Sequence, residues 1–176
     1  FKIIFLLIIL LNIAIRIPYI PNERGVDSFM LQWMSESIIQ EGHARWMIHP
    51  AAMFGYVEHT YPSGLIYLTA ITSSMLDISI SNMILILDIA IAIIGLYCMF
   101  IFAKEFSKSS KIAIIAALLF SISAVFLRFT YWTMSSRHLF IAFIPLLFYL
   151  IFKYENTNKK KYLGFLVLLL IIMATI

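Results

Sequence analysis

Long apolar runs separated by short charged loops dominate the chain, and one extended polar segment follows the first run. The runs predict helices over about Lys2 to Ile17, Ser81 to Ala103, Lys111 to Leu127 and Arg137 to Phe152, and from Tyr162 to Ile176. Crossing a bilayer takes roughly 20 apolar residues. The pattern therefore predicts an all-α membrane protein, a polytopic helical bundle of about five spans with the fifth truncated.

The polar segment, residues 17–80, is predicted to form an external loop with two juxtamembrane helices. The first would run from Asp27 to Glu41 and stop at Gly42, because glycine adopts the left-handed cap freely. Its apolar face, at helical spacing, would consist of Phe29, Met30, Trp33, Met34, Ser37 and Ile38. A second would begin at Pro62, whose fixed φ suits a first helical turn, and would present Leu65, Ile66, Leu68 and Ile71. Both are too short to span, so we interpret them as interfacial helices.

Composition and charge support this arrangement. Hydrophobic residues make up 62% of the chain and charged residues only 12%, which excludes an ordinary soluble domain with about 25% charged residues. The net charge of +4 comes largely from two short loops, Lys104 to Lys111 and Lys153 to Tyr162, so it indicates topology and no nucleic-acid partner. By the positive-inside rule these loops are cytoplasmic. We expect a multi-pass protein of the plasma membrane with residues 17–80 outside.

The chain starts at Phe1, and Ile176 falls inside an apolar run. We therefore expect residues 1–176 to be the N-terminal part of one longer transmembrane domain, and this part to be inactive alone. Asp88 is the one clear ionisable residue within a predicted span. Such residues usually face the bundle interior with a partner, so we expect Asp88 to link neighbouring helices.

Several polar and aromatic residues on the outer side have two interpretations. Asp27 either caps the helix that follows it or acts as a base at the membrane surface. Arg128 and Arg137, and likewise Arg16, either snorkel to ordinary headgroups or bind a phosphate, for which the guanidinium fork is well matched. The tryptophans form an interfacial aromatic belt, line a sugar-binding groove, or do both; they are Trp33, Trp46 and Trp132.

Three stretches of the outer segment form a combination of motifs. They are residues 27–33, Asp-Ser-Phe-Met-Leu-Gln-Trp, residues 38–43, Ile-Ile-Gln-Glu-Gly-His, and residues 61–68, Tyr-Pro-Ser-Gly-Leu-Ile-Tyr-Leu. This combination resembles the GT-C superfamily of membrane glycosyltransferases, which includes the protein mannosyltransferases. The first two stretches resemble the archaeal oligosaccharyltransferase-like version, and the third resembles the tyrosine-proline-glycine entry to the second juxtamembrane helix. The resemblance covers nearly the whole chain. It implies a first span, an external loop with an acid at its start, and further short-looped spans.

The second external loop departs from the oligosaccharyltransferase pattern. In that family further acids in this loop hold a divalent metal, whereas here residues 128–137, Arg-Phe-Thr-Tyr-Trp-Thr-Met-Ser-Ser-Arg, contain no carboxylate. A hard divalent cation requires several oxygen ligands. We therefore expect no metal cofactor and favour a metal-independent transferase.

The resemblance implies an enzyme that moves a sugar from a polyprenyl-phosphate carrier to a lipid, glycan or protein acceptor on the outer face. Asp27 would be the general base. Arg137, with Arg128 or His138, would stabilise charge on the departing phosphate. The sugar pocket would be shaped by Trp33, Trp46, His59 and Tyr61. The alternatives are a non-enzymatic polyprenyl-lipid binding or transport protein and an inactive assembly subunit.

Overall fold

The computed structural model describes residues 2–43 and 64–175. Within these ranges it contains helices and no strands, in agreement with the predicted all-α class. The helices are α1 (Lys2–Ala14), α2 (Val26–Glu41), α3 (Gly64–Leu76), α4 (Ile80–Ser107), α5 (Ser110–Ser121), α6 (Ala124–Phe129), α7 (Ser136–Thr157) and α8 (Lys160–Thr175).

Helix α4 is the centre of the bundle. It packs against α1, α3, α5 and α7, and α8 packs on α7. Two helices are long and apolar enough to cross a membrane, Ile80–Ser107 and Arg137–Thr157. By contrast α1, α5 and α8 have 13, 12 and 16 residues, fewer than a span requires. Length and composition therefore support two of the five predicted spans.

The predicted single helix over Lys111 to Leu127 is wrong, because two non-helical residues, Ile122 and Ser123, divide it into α5 and α6. Helix α5 ends at Ser121, and Ser123 caps α6 by accepting from the Phe126 N–H. The side chain of Arg16 donates to the Ser121 carbonyl over 3.0 Å, and this satisfies an acceptor that a helix end leaves unpaired.

Arg16 is fully buried, so neither interpretation offered for it, snorkelling or phosphate binding, is correct. Its Nε donates to Thr130 Oγ1 over 2.9 Å and an Nη donates to Asn12 Oδ1 over 2.7 Å. Asn12 in turn donates to Ser121 Oγ over 2.7 Å. This polar cluster joins the end of α1 to α5 and to the end of α6.

Helices form over both segments that were predicted to be juxtamembrane, α2 and α3, and each buries one side against the rest of the protein. On α2 the buried side chains are Ser28, Leu31, Met34, Ser35 and Ile38, whereas Phe29 is 51% exposed. The serines are tolerated inside because they find partners: Ser35 Oγ donates to Leu31 O and contacts Ile66 O of α3.

Helix α3 is also buried on one side only. It buries Leu65, Ile66, Thr69, Ala70 and Ser73, while Leu68 and Ile71 are exposed. The two helices pack on each other, and this contact decides which sides are buried. The predicted start at Pro62 lies outside the described residues.

The two lysine-rich loops lie at the same end of the bundle, as the orientation argument requires. Lys153 near the end of α7 pairs with Glu105 near the end of α4, with Nζ and Oε2 2.8 Å apart. The start of α4 contacts the loop between α6 and α7, where Trp132 Nε1 donates to Ser81 O over 3.0 Å. A helix of 28 residues is about 40 Å long, so the two ends are well separated.

Candidate functional site

A cleft of about 590 Å³ opens at the end of the bundle opposite the lysine-rich loops. The volume lies within the range of small-molecule sites. It is lined by the start of α2, the end of α6, the loop to α7 and the first turn of α7. The charged side chains in the lining are Arg24, Asp27, Arg128 and Arg137. The structure thus brings together Asp27, Arg128 and Arg137, three of the residues predicted from the sequence.

Asp27 is exposed and lies in the first turn of α2. The N-cap of this helix is Gly25, whose φ of 91° favours glycine, and no side chain makes the capping bond. The capping interpretation of Asp27 is therefore wrong. A carboxylate in the first turn is still favoured by the positive end of the helix dipole, and the Asp27 side chain is available to the cleft.

Arg128 and Arg137 reach the cleft from two helices and share one aromatic ring. Their Cζ atoms lie 5.9 and 5.6 Å from the centroid of the Phe129 ring. At such distances a guanidinium group is attracted to the ring face. Arg128 is in the last turn of α6. Ser135, the N-cap of α7, accepts from the Arg137 N–H and so fixes where that helix begins.

Arg24 is a cleft residue that the sequence interpretation missed. Its N–H donates to the Trp132 carbonyl over 2.8 Å, and its guanidinium carbon lies 5.4 Å from the centroid of the Tyr131 ring. The sequence places Arg24 only three residues before Asp27, and this was the one indication that it could belong to the same site. The backbone contact with Trp132, which brings this loop to the cleft, cannot be inferred from the sequence.

The loop behind the cleft is held by hydrogen bonds to the bundle. The Thr133 N–H donates to Asp88 Oδ2 over 2.7 Å, and the Met134 N–H donates to Ser28 Oγ over 2.8 Å. Trp132, which has a φ of 50°, is anchored through its indole to Ser81. A loop fixed from α2 and α4 presents preorganised groups, and such preorganisation is what electrostatic catalysis requires.

His138 does not lie in the cleft lining. The side chain is 1% exposed, and its Nδ1 lies 2.9 Å from Asp88 Oδ1 and 3.0 Å from Phe129 O. The structure therefore separates His138 from the predicted phosphate-binding arginines, because the buried carboxylate of Asp88 draws the ring into the bundle. The same contacts confirm that Asp88 links neighbouring helices.

Glu23 lies next to the cleft and is 5% exposed. It accepts a hydrogen bond from Ser28 Oγ, and its other carboxyl oxygen, Oε1, has no partner among the described residues. Burial raises the pKa of the Glu23 carboxyl above its ordinary value, and the bond from Ser28 acts in the opposite direction. Ser28 thereby connects Glu23 to the backbone of the cleft loop at Met134.

The predicted sugar pocket is only partly described. Trp33 is half-buried on α2 and packs against the main apolar cluster of the bundle, away from the cleft lining. Trp46, His59 and Tyr61 lie outside the described residues. The aromatic rings next to the charged groups of the cleft are those of Phe129 and Tyr131, and sequence spacing did not single them out.

Among residues 2–43 and 64–175, no group of three or more His, Cys, Asp and Glu side chains is arranged to hold a metal ion.

Comparisons with protein-family models, with curated proteins and with solved structures find no match for this chain.

Proposed function

We propose that the chain functions in a multi-pass glycosyltransferase of the GT-C type, which moves a sugar from a polyprenyl-phosphate carrier to a lipid, glycan or protein acceptor. The observation that carries the proposal is the single cleft that holds one exposed carboxylate and several guanidinium groups. Sugar transfer from a lipid phosphate requires a base that activates the acceptor and positive groups that stabilise the departing phosphate.

The position of the cleft supports a reaction at the membrane surface. The cleft is at the end of the bundle away from the lysine-rich loops, which the positive-inside rule assigns to the cytoplasm. Many large apolar side chains on the outer sides of the helices are exposed, including Ile3 at 74% and Leu119 at 59%. Exposed apolar surface of this kind is expected where lipid is the solvent. The proposed location is the plasma membrane, with the cleft outside.

The proposed step is a displacement at the anomeric carbon of the carrier-linked sugar. Asp27 takes the proton of the acceptor hydroxyl, and the acceptor oxygen forms a bond to that carbon. The bond between the carbon and the phosphate oxygen breaks, and its electron pair stays on the phosphate. The lipid phosphate thus leaves with one more negative charge. Arg128 and Arg137 stabilise this charge, since bonds between guanidinium and phosphate are strong and bidentate.

The deciding experiment measures consumption of lipid-linked sugar and appearance of product by purified full-length protein in lipid nanodiscs. Asp27→Asn should lower the rate roughly a hundred-fold or more, the usual contribution of a general base. The matched control is Asp77→Asn, which removes another exposed carboxylate at a residue with a φ of 52° that asparagine tolerates. Full activity of a folded Asp27→Asn variant would refute the base assignment.

The same measurement distinguishes the alternative functions. Binding of the carrier without consumption, in wild type as in Asp27→Asn, would indicate a lipid-binding or transport protein. Neither binding nor consumption would indicate an assembly subunit without activity of its own. Consumption that depends on Asp27 supports the transferase.

A further inference from the structure

We propose that Arg24 is a third anion-binding residue of the cleft and that it makes the site select a diphosphate-linked carrier over a monophosphate-linked one. The inference rests on the proposed function and goes beyond it by naming the linkage. Two observations support it: the positions of the three arginines around the cleft, and the net positive charge that remains after the carboxylate of Asp27 is counted.

The cleft has two positive poles. One is the pair of guanidinium groups at Phe129, from Arg128 and Arg137. The other is Arg24, which lies over a different ring, that of Tyr131. The two poles belong to one site because all three arginines line the same cleft. A ligand with two adjacent phosphoryl groups offers one anionic group to each pole, whereas a ligand with one phosphoryl group offers a single one.

The guanidinium groups of Arg24, Arg128 and Arg137 form no ion pair with a carboxylate among the residues that the structure describes. Within residues 2–43 and 64–175, the ion pairs formed by carboxylates are with Lys108, Lys153 and His138, and none involves Arg24, Arg128 or Arg137. Their donors therefore remain available to an anion. A cation–π contact uses none of the N–H donors of arginine for a hydrogen bond to a carboxylate, so the contacts with Phe129 and Tyr131 leave these donors for an anion.

The charge balance favours two phosphates. Three guanidinium groups and the carboxylate of Asp27 leave the cleft with a net charge of two positive units. A sugar joined to a lipid through one phosphate is a diester with one negative charge, whereas the corresponding diphosphate carries two. The diphosphate neutralises the cleft, and the monophosphate leaves one positive unit uncompensated. Complementary charge of this kind sets specificity between related ligands.

The test compares two lipids and two soluble anions. Full-length protein in nanodiscs is titrated with a sugar linked to polyprenyl monophosphate and with the same sugar linked to polyprenyl diphosphate, each alone and in competition with inorganic phosphate or pyrophosphate. We expect the wild type to bind the diphosphate lipid about tenfold more tightly, the effect of one additional charge-assisted contact. Arg24→Gln should reduce this ratio to near one, and Arg24→Lys should retain part of it. Competition by pyrophosphate alone shows whether the free anion suffices or the lipid is required.

A matched control removes a positive charge at the other end of the molecule. Lys159→Gln, at an exposed residue between α7 and α8, should leave the ratio unchanged. Equal affinity of the wild type for both lipids, or a ratio that survives Arg24→Gln, would overturn the inference while the proposed transferase stands. Failure to bind or consume either lipid would overturn both. Thermal unfolding of each variant shows that the fold is kept.

Discussion

Arg128 and Arg137 lie at the end of one helix and the start of the next, and their guanidinium groups both contact the ring of Phe129, at 5.9 and 5.6 Å from its centroid. The ring therefore contacts both cations before any anion arrives. Because both arginines also line the same cleft, the pair should behave as one anion-binding unit.

We predict that Arg128→Gln and Arg137→Gln each weaken binding of a lipid phosphate about tenfold, because each removes a charge-assisted bond. Phe129→Leu keeps both charges but removes the shared ring, so it should weaken binding by a smaller factor, in keeping with roughly 0.5–1 kcal/mol for an exposed cation–π contact. Titration of nanodisc-embedded protein with lipid phosphate measures all three. If neither arginine variant binds more weakly than wild type, the cleft is not the phosphate site.

The sequence predicts the helices well where the signal is local. Helices α4 and α7 were expected from long apolar runs, and their observed ends extend to Ser107 and Thr157 because charged residues beyond the apolar part continue the helix. The carboxylate and two of the three arginines of the cleft were also predicted, since Asp27, Arg128 and Arg137 all belong to segments expected on the same side of the membrane. Span parity alone places them at the same end of the bundle.

The sequence does not predict features that depend on distant partners. The position of Arg16 at the end of an apolar run predicts an interfacial arginine, but in the fold its side chain is buried and donates hydrogen bonds to Thr130 and Ser121. His138 reads as a phosphate ligand because it follows Arg137, but a helix turns successive side chains by about 100°, and Asp88 lies on the inner side. Such contacts join residues far apart in the chain, and neither periodicity nor composition contains that information.

The contact between Asp88 and His138 should make the folded state sensitive to the loss of either side chain. Removal of one partner leaves polar atoms of the other buried without that contact, which typically costs about 1–3 kcal/mol. We therefore expect Asp88→Ala to lower the midpoint of thermal unfolding strongly, with a further loss of the bond to the Thr133 N–H.

A double-mutant cycle makes this prediction specific to the pair. His138→Ala in the background of Asp88→Ala should cost much less than in the wild type, because its partner is already absent. Strictly additive effects would show that the 2.9 Å contact between Nδ1 and Oδ1 contributes nothing to stability.

Glu23 should make the stability of the cleft loop dependent on pH. Burial raises the pKa of its carboxyl above the ordinary value of 4.5, so the folded state binds this proton more tightly than the unfolded state does. The resulting stabilisation is complete below about pH 4.5 and is lost as pH rises through the pKa in the folded state. Glu23→Gln should remove this dependence and keep an acceptor for Ser28. Hydrogen exchange at the Met134 amide, measured across that range, would contradict the assignment if wild type and variant had the same pH profile.

Gly95 allows a test of the packing of the bundle with an internal control. A Cβ at this position in α4 would lie 2.6 Å from Phe126 Cζ, and 3.2 Å from Ala142 Cβ and from Phe120 Cε1. Phe126 is fully buried and its ring centroid is 4.6 Å from that of Phe120, so the Phe126 ring has little space to move away. Close approach of helices at a small residue is typical of membrane bundles.

Gly95→Ala should therefore destabilise the protein by about 1–3 kcal/mol, the usual cost of overpacking, even though alanine favours a helix over glycine by about 1 kcal/mol. Gly164→Ala in α8 is the matched control, since a Cβ there has nothing within 4 Å, and it should leave stability unchanged or raise it by up to about 1 kcal/mol. Thermal unfolding of both variants under the same conditions measures the difference. If Gly95→Ala is as stable as Gly164→Ala, then α4 does not approach α6 and α7 as closely as the structure indicates.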